Sequence, residues 1–462
     1  MKNRKQFLKT SAAFGLGALS GTALQAAQSK VVTPYPEMTA FPSKPVKSVI
    51  YLHMVGGPSH LDLFDHKPLL QKMNGEKMPS SFLEGRRFAF LRGHPTVMGS
   101  PFQFKKHGES GLELCDLWKH LPEVADEITM VKSVHTDQFN HGPAQVLMQT
   151  GFGRFGRPSM GSWVNYGIGS DNQNLPGFVV LQQGGMPGAG SSLWSNGFLP
   201  GQYQGIKFLD SNSPVHFLSN PSGMQASTRA DMVKAINHLN QKQFEKVGDP
   251  DIETRMLQYD LANRMQSTMP DVAELSQEPK HIREMYGKGG LGEKCLLARR
   301  LVERGVRFVQ IYQDGWDNHS SLEAGLKRQV GIVDQGVTAL IKDLKQRGML
   351  DETLIIFGGE FGRTPMMQGK NGEGMNTKAG RDHHIDGFCK FMVGGPLKRG
   401  YTYGKTDEFG FNIVENPIHI HDFHATVLHM LGIDHQKLSY RFQGRDYRLT
   451  DIGGRIITDL YS

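Results

Sequence analysis

Five short polar segments of the 462-residue chain concentrate the residue types that hold metals and move protons. The first is Gly56-Gly57-Pro58-Ser59-His60-Leu61-Asp62. The second runs from His135-Thr136-Asp137 to Asn140-His141-Gly142-Pro143. Asp314-Gly315-Trp316-Asp317-Asn318-His319, Gly359-Glu360-Phe361-Gly362-Arg363 and Arg381-Asp382-His383-His384 complete the set. Carboxylates and imidazoles together form the ligand set of Zn²⁺, Mn²⁺ and mixed divalent sites. One Asp-x-His says little, because a single histidine more often bonds quietly in the core or at the surface. Several such clusters brought to one place say more. Asp317, His319, Glu360 and His383 are therefore expected to be functional, with His384 an equal rival to His383. The planar fork of Arg363 suits a phosphate or sulfate oxyanion, or equally an ion pair with Glu360 or Asp382. His419, His421 and His424 stand evenly between a supporting role at the site and plain capping or surface roles.

The elements around these segments decide whether they can meet. Short apolar runs at 46–54, 128–134, 178–181, 306–312, 353–357 and 391–393 read as strands buried on both faces. Four of the clusters follow such a run, and the fifth stands just before the last one. Between the runs lie helices. Leu326, Val330, Val333, Val337, Leu340 and Leu344 make one apolar stripe at helical spacing over about 322–347, and Gly348 suits the C-cap. A second helix is expected at about 293–304. A short one should run through Met430 with Asp422 as its N-cap. The polar stretch at about 225–300, rich in Met and Gln, reads as a helical insertion on a single domain spanning 46–462. Alternating strands and helices predict an α/β fold, a large, mostly parallel sheet with helices on both faces. Ligands of such sheets bind beyond the carboxyl ends of the strands, where the clusters fall.

The formal charge is +7, but Lys2, Arg4, Lys5 and Lys9 supply four of those charges with no acid in residues 1–27, which leaves about +3 (7 − 4) beyond them. No basic stripe remains of the kind nucleic acid requires. Residues 1–27 read as an export signal, with a basic start, an apolar Gly/Ala-rich stretch and a cleavage site at Ala26-Ala27. Asn3-Arg4-Lys5-Gln6-Phe7-Leu8-Lys9 resembles a twin-arginine signal with Lys5 at the second arginine. Residues 28–45, with four prolines, read as an extended linker. The expected product is an exported protein, periplasmic or extracellular, reached by the twin-arginine route, with no transmembrane segment in the mature chain. Cys115, Cys295 and Cys389 are too few and too scattered for a disulfide framework.

The strings GGPSHLDLFDHKP, HTDQFNHGPAQ, GRPSMGSWVNYG, CLLARRLVERGVRFVQIY, GWDNH, GGEFGRTP, GRDHH and GRDYRLTD resemble the exported domain-of-unknown-function 1501 family over roughly 46–455. That family is similar to a branch of the alkaline phosphatase/sulfatase superfamily. The resemblance implies an alkaline phosphatase-like fold and a metal-assisted site for a small-molecule or glycan ester of phosphate or sulfate. It also implies a departure. Sulfatases carry Cys-x-Pro-Ser/Ala-Arg followed by Thr-Gly, and here His141 stands at the cysteine and Gln145 at the arginine, with Thr150-Gly151 at the matching offsets. No formylglycine can form at His141. Gly56-Gly57 occupies the neighbourhood of the strand-end Asp-Asp, and the later Asp-His-Gly becomes Glu360-Phe361-Gly362. What remains is a divalent site (Zn, Mn, Mg or Ca) built from Asp62, Asp317, His319, Glu360 and His383, with His60, Asp382 or His384 as further candidates. His141 is expected at a helix N-terminus as nucleophile, general acid/base or ligand, and Arg363 as the oxyanion clamp. The function implied is an exported metal-dependent ester hydrolase; the alternative is a non-catalytic binding protein for sulfated or phosphorylated glycans.

Overall fold

The computed structural model describes residues 42–86, 88–209, 223–369 and 378–462. The expected export segment 1–27 and most of the linker at 28–45 lie outside the described residues. The strands that matter here are β1 (Ser48–Met54), β2 (Ile128–His135), β3 (Phe178–Gln183), β4 (Ile206–Lys207), β5 (Phe308–Gln313), β6 (Thr353–Gly358), β7 (Gly362–Gln368), β8 (Gly380–His384), β9 (Phe388–Val393), β10 (Tyr401–Tyr403) and β11 (Ile418–His419). The helices are α1 (His141–Thr150), α2 (Met160–Ile168), α3 (Ala226–Val247), α4 (Pro250–Ala273), α5 (Gly290–Glu303), α6 (Leu322–Gln346) and α7 (Ile420–Met430).

Nine strands form one sheet in the order β10-β2-β9-β6-β1-β5-β3-β4, with β11 also on β2. All pairings are parallel except those of β9, which runs antiparallel to both β2 and β6. The carboxyl ends of β1, β2, β5 and β6 therefore share one edge with the start of β9. The central strands are buried along their whole length, as apolar runs without alternation require. Their side chains still divide between two cores. Ile50, Leu52 and Ile355 join α5 and α6 on one face, while Val49, Tyr51 and Ile356 join α1, α2 and α7 on the other. Cys115, Cys295 and Cys389 are free and buried.

The α6 stripe sits where its spacing predicts, with Leu326, Val330, Val333, Val337, Leu340 and Leu344 no more than 1% exposed. Leu340→Ala should cost about 2–5 kcal/mol through lost burial and the cavity left behind. An unchanged urea midpoint would contradict that packing. Within the expected insertion α3 and α4 are mostly exposed, though α4 buries Met265, Met269 and Val272, and α5 carries Leu296, Ala298 and Leu301 into the core. Asp422 is not the N-cap of α7. His419 is, and Asp422 at the third helical position accepts from the His419 backbone N–H in a capping box. No helix among the described residues is long and apolar enough to cross a membrane.

Candidate metal centre

Each cluster is delivered to the sheet edge by a tight backbone turn. After β5 the chain passes through Gly315 and folds back over the end of β1, where the Trp316 N–H donates to Val55 O at 3.1 Å. Gly56 makes this contact possible. It has φ +116, and a Cβ there would lie 2.4 Å from the Asp317 nitrogen. After β6 comes Glu360, then β7 and β8 pair as an antiparallel hairpin with His383 opposite Arg363. A bulge between Arg381 and His383 breaks the strand's alternation, so the two side chains serve different places. α1 brings His141 at its first residue.

Four of these side chains converge. One ligand atom each from His141, Asp317, His319 and His383 lies within 4.8 Å of all the others. Asp317 Oδ1 is 3.2 Å from His141 Nε2, 2.9 Å from His319 Nε2 and 3.5 Å from His383 Nε2. His319 Nε2 and His383 Nε2 face each other at 2.9 Å. Every Nδ1 is engaged on the far side by an acceptor. His141 meets Glu360 Oε1, His319 meets Gln368 Oε1 and His383 meets the Phe139 carbonyl, each at 2.7 Å. Those acceptors place the ring proton on Nδ1 and turn the Nε2 lone pair inward, the support that metal-bound imidazoles require. Three Nε2 atoms and a carboxylate oxygen then meet at one spot, with the buried His141 Nε2 facing Asp317 Oδ1. A cation there would satisfy all four atoms together. Ligands on a tetrahedron with bonds of ~2.0–2.1 Å stand about 3.3 Å apart, close to the spacing seen here.

Charge is arranged to match. Burial alone would push the Asp317 carboxyl up, but bonds from the three imidazoles and the Arg363 charge hold it well below the usual carboxylate range. Burial pushes the His141 imidazole down, and its bonds to Asp317 and Glu360 more than reverse this, raising it to about 9. His383 is held below the usual imidazole value, by burial first and against the pull of Asp317.

The remaining expected residues lie around this group rather than in it. Glu360 is 0% exposed and sits beneath His141. It accepts from His141 Nδ1, from Gln145 Nε2 at 3.0 Å and from the Gly56 N–H at 3.0 Å, with His53 Nε2 3.3 Å from its other oxygen. Burial opposes its charge, but the His141 and His53 bonds keep its carboxyl well below the usual range. Arg363 is also fully buried. It donates to Gly57 O at 2.9 Å, Arg381 O at 3.1 Å, Gly56 O and Asp317 Oδ1 at 2.6 Å, so it braces Asp317 and the β1 turn instead of facing a ligand. Asp62 forms a buried two-pronged pair with Arg381, at 2.8 and 3.0 Å, and accepts from Ser59. His60 Nε2 lies 3.4 Å from Gly410 O, and His384 Nε2 bonds Phe411 O at 2.6 Å. Asp382 accepts from the His383 N–H and from the backbone of Phe90 and Leu91. His53, Gln145, Gln368 and the Phe139 carbonyl were not anticipated as parts of the site. A histidine inside an apolar strand (His53) was the one visible signal among them.

The strings that flank these residues are those on which a family is recognised. The model of a family described as a protein of unknown function, DUF1501, matches residues 46–461. The chain belongs to this family. No curated protein matches it in sequence. Solved structures that match this DUF1501 protein include the alkaline phosphatase from the Antarctic bacterium TAB5, at 11% identity over 84% of this chain and 99% of that one, TM-score 0.36. The lipoteichoic acid synthase from Listeria monocytogenes matches at 9% identity over 84% and 72%, TM-score 0.35. A 2-O GAG sulfatase matches at 9% identity over 90% and 74%, TM-score 0.35. Nothing about the centre rests on likeness at this level. Its geometry stands on the coordinates of the four side chains and their partners.

Proposed function

We propose that this DUF1501 protein is an exported, metal-dependent hydrolase of phosphate or sulfate esters. The observation that carries the reading is the convergence of three Nε2 atoms on Asp317 Oδ1, each ring held from behind by an acceptor. His141, His319, His383 and Asp317 would hold a divalent ion, and a ligand set so rich in imidazole favours Zn²⁺ over Mg²⁺ or Ca²⁺. When bound, such an ion supplies Lewis acidity toward an ester oxygen and lowers the pKa of a coordinated water toward ~7. The chain's own groups do the rest. Glu360 holds the tautomer of His141, Gln368 and the Phe139 carbonyl hold the other two rings, and Arg363 fixes Asp317 in place. The Asp317 side chain is 44% exposed, so the open side of the centre, where ester and water arrive, lies there. The His141 side chain is 24% exposed and backed by Glu360; as a ligand it would have Nε2 on the ion and Nδ1 on Glu360, which leaves neither nitrogen for proton transfer to a leaving group.

One observation favours the second reading, a binding protein for sulfated or phosphorylated glycans. Arg363, expected as the oxyanion clamp, spends its donors on the protein. The test is metal analysis of the purified mature protein together with aryl phosphate, phosphodiester and aryl sulfate substrates. The hydrolase reading expects turnover that chelation abolishes and metal restores. Tight binding of these esters without turnover would leave the binding protein, and turnover indifferent to chelation would remove the metal from the mechanism.

A further inference from the structure

We propose that Phe90 forms a ring-binding wall beside the centre, so that the ester taken there carries an aryl or pyranose ring beside its oxyanion. This rests on reading the centre as an ester site. Phe90 is 52% exposed. Its ring stands nearly perpendicular to two of the ligand imidazoles, 4.8 Å from His319 and 5.6 Å from His383, centroid to centroid.

Single exposed phenylalanines need no explanation. What sets Phe90 apart is the carboxylate that holds it. Asp382 is fully buried, and burying a charge is costly unless it is well bonded. One of its oxygens accepts from the N–H groups of Phe90 and Leu91, at 2.7 and 2.9 Å, and the other accepts from His383 N at 2.8 Å. Asp382 thus ties the backbone of Phe90 to the strand that carries a ligand, and edge contacts with His319 and His383 seat the ring beside the centre, as a substrate-contacting group requires. Rings of a ligand stack on or edge against such a surface whether they are aromatic or the apolar face of a sugar, and a contact of this kind is worth about 3- to 10-fold in affinity.

Calorimetric titration of the zinc-loaded protein with 2-naphthyl phosphate, glucose 6-phosphate and inorganic phosphate, and with the corresponding sulfates, tests this. At least one ring-bearing ester should bind about ten-fold or more tightly than its inorganic ion. Phe90→Ala should remove about 3- to 10-fold of that preference while metal content and affinity for the inorganic ion stay as in the parent. Whether the aryl or the sugar ester gains more identifies which kind of ring the wall fits. Equal binding of ester and inorganic ion, no binding of any of them, or a preference intact in Phe90→Ala would overturn the proposal. Preference without turnover would leave the wall standing and remove the hydrolase. Turnover without preference would do the reverse.

Discussion

Asp317→Ala should empty the centre. Its Oδ1 is the one anionic atom shared by His141, His319, His383 and Arg363. Removing a supporting residue from a metal site lowers affinity about 10–100-fold, and loss of a ligand itself should exceed that. The variant should therefore purify with little metal and show no rise in melting temperature when metal is added, because only binding to the native state stabilises it. The metal-free fold should suffer as well. The fully buried Arg363 guanidinium would lose its carboxylate partner and keep only its carbonyl partners, which should lower stability. Asp317→Asn keeps the shape and separates the two effects. Metal binding should fall in both variants, and the fold should be damaged less in Asn than in Ala. Full metal occupancy in either would show that Asp317 is not a ligand.

The second large effect is a dependence on pH that metal reverses. In the metal-free protein His141 is raised to about 9 from an ordinary 6.5. Between those values the native state holds a proton that the unfolded chain has lost, so stability falls as pH rises. The contribution is complete below about 6.5 and gone above about 9. Metal must displace the same proton, so its apparent affinity should climb across that window. Lys390 acts in the opposite sense. Burial holds its ammonium down to about 7, against the pull of Glu360, so stability recovers as pH rises from about 7 toward its unfolded value of 10.5. The readout is therefore the difference in melting temperature between parent and His141→Gln, measured in chelator at pH 6.5, 8 and 9.5. The parent's advantage should shrink with pH in chelator and grow with pH in excess metal. A difference that is flat in chelator would mean that His141 carries no such proton.

Much of this arrangement is legible in the sequence for one physical reason. Strands buried on both faces appear as unbroken apolar runs, and a polar cluster that follows such a run is carried to the sheet edge by chain connectivity alone. Asp317 and His319 reach the edge on that basis, whereas His383 comes from a hairpin. The hairpin of β7 and β8 is not legible in the same way. Gly362–Gln368 contains Pro365, and Gly380–His384 is nearly all charged or polar, yet both strands are almost wholly buried because Arg363, Arg381 and Asp382 find partners there. The bulge inside β8 then aims Arg381 and His383 at different targets, which no periodicity announces. Asp62 and Glu360 have the chemistry of ligands, but their fate was decided by groups distant in the chain, Arg381 for one and His141, Gln145 and His53 for the other. A backbone carbonyl such as that of Phe139 leaves no mark in the sequence at all. His141 stands at the helix start, and only the side-chain geometry puts its Nε2 among the ligand atoms.

The claim on which the rest depends is that three imidazoles and one carboxylate hold a single divalent ion. X-ray absorption at the metal edge, on protein purified from its native host and quantified for metal, tests this most directly. The expected result is one ion per chain, bound only by nitrogen and oxygen at about 2.0–2.1 Å, with the outer-shell scattering of about three imidazoles, and loss of roughly one imidazole in His141→Ala. A protein that carries no metal, or one whose ion is surrounded by oxygen with no imidazole scattering, would contradict it.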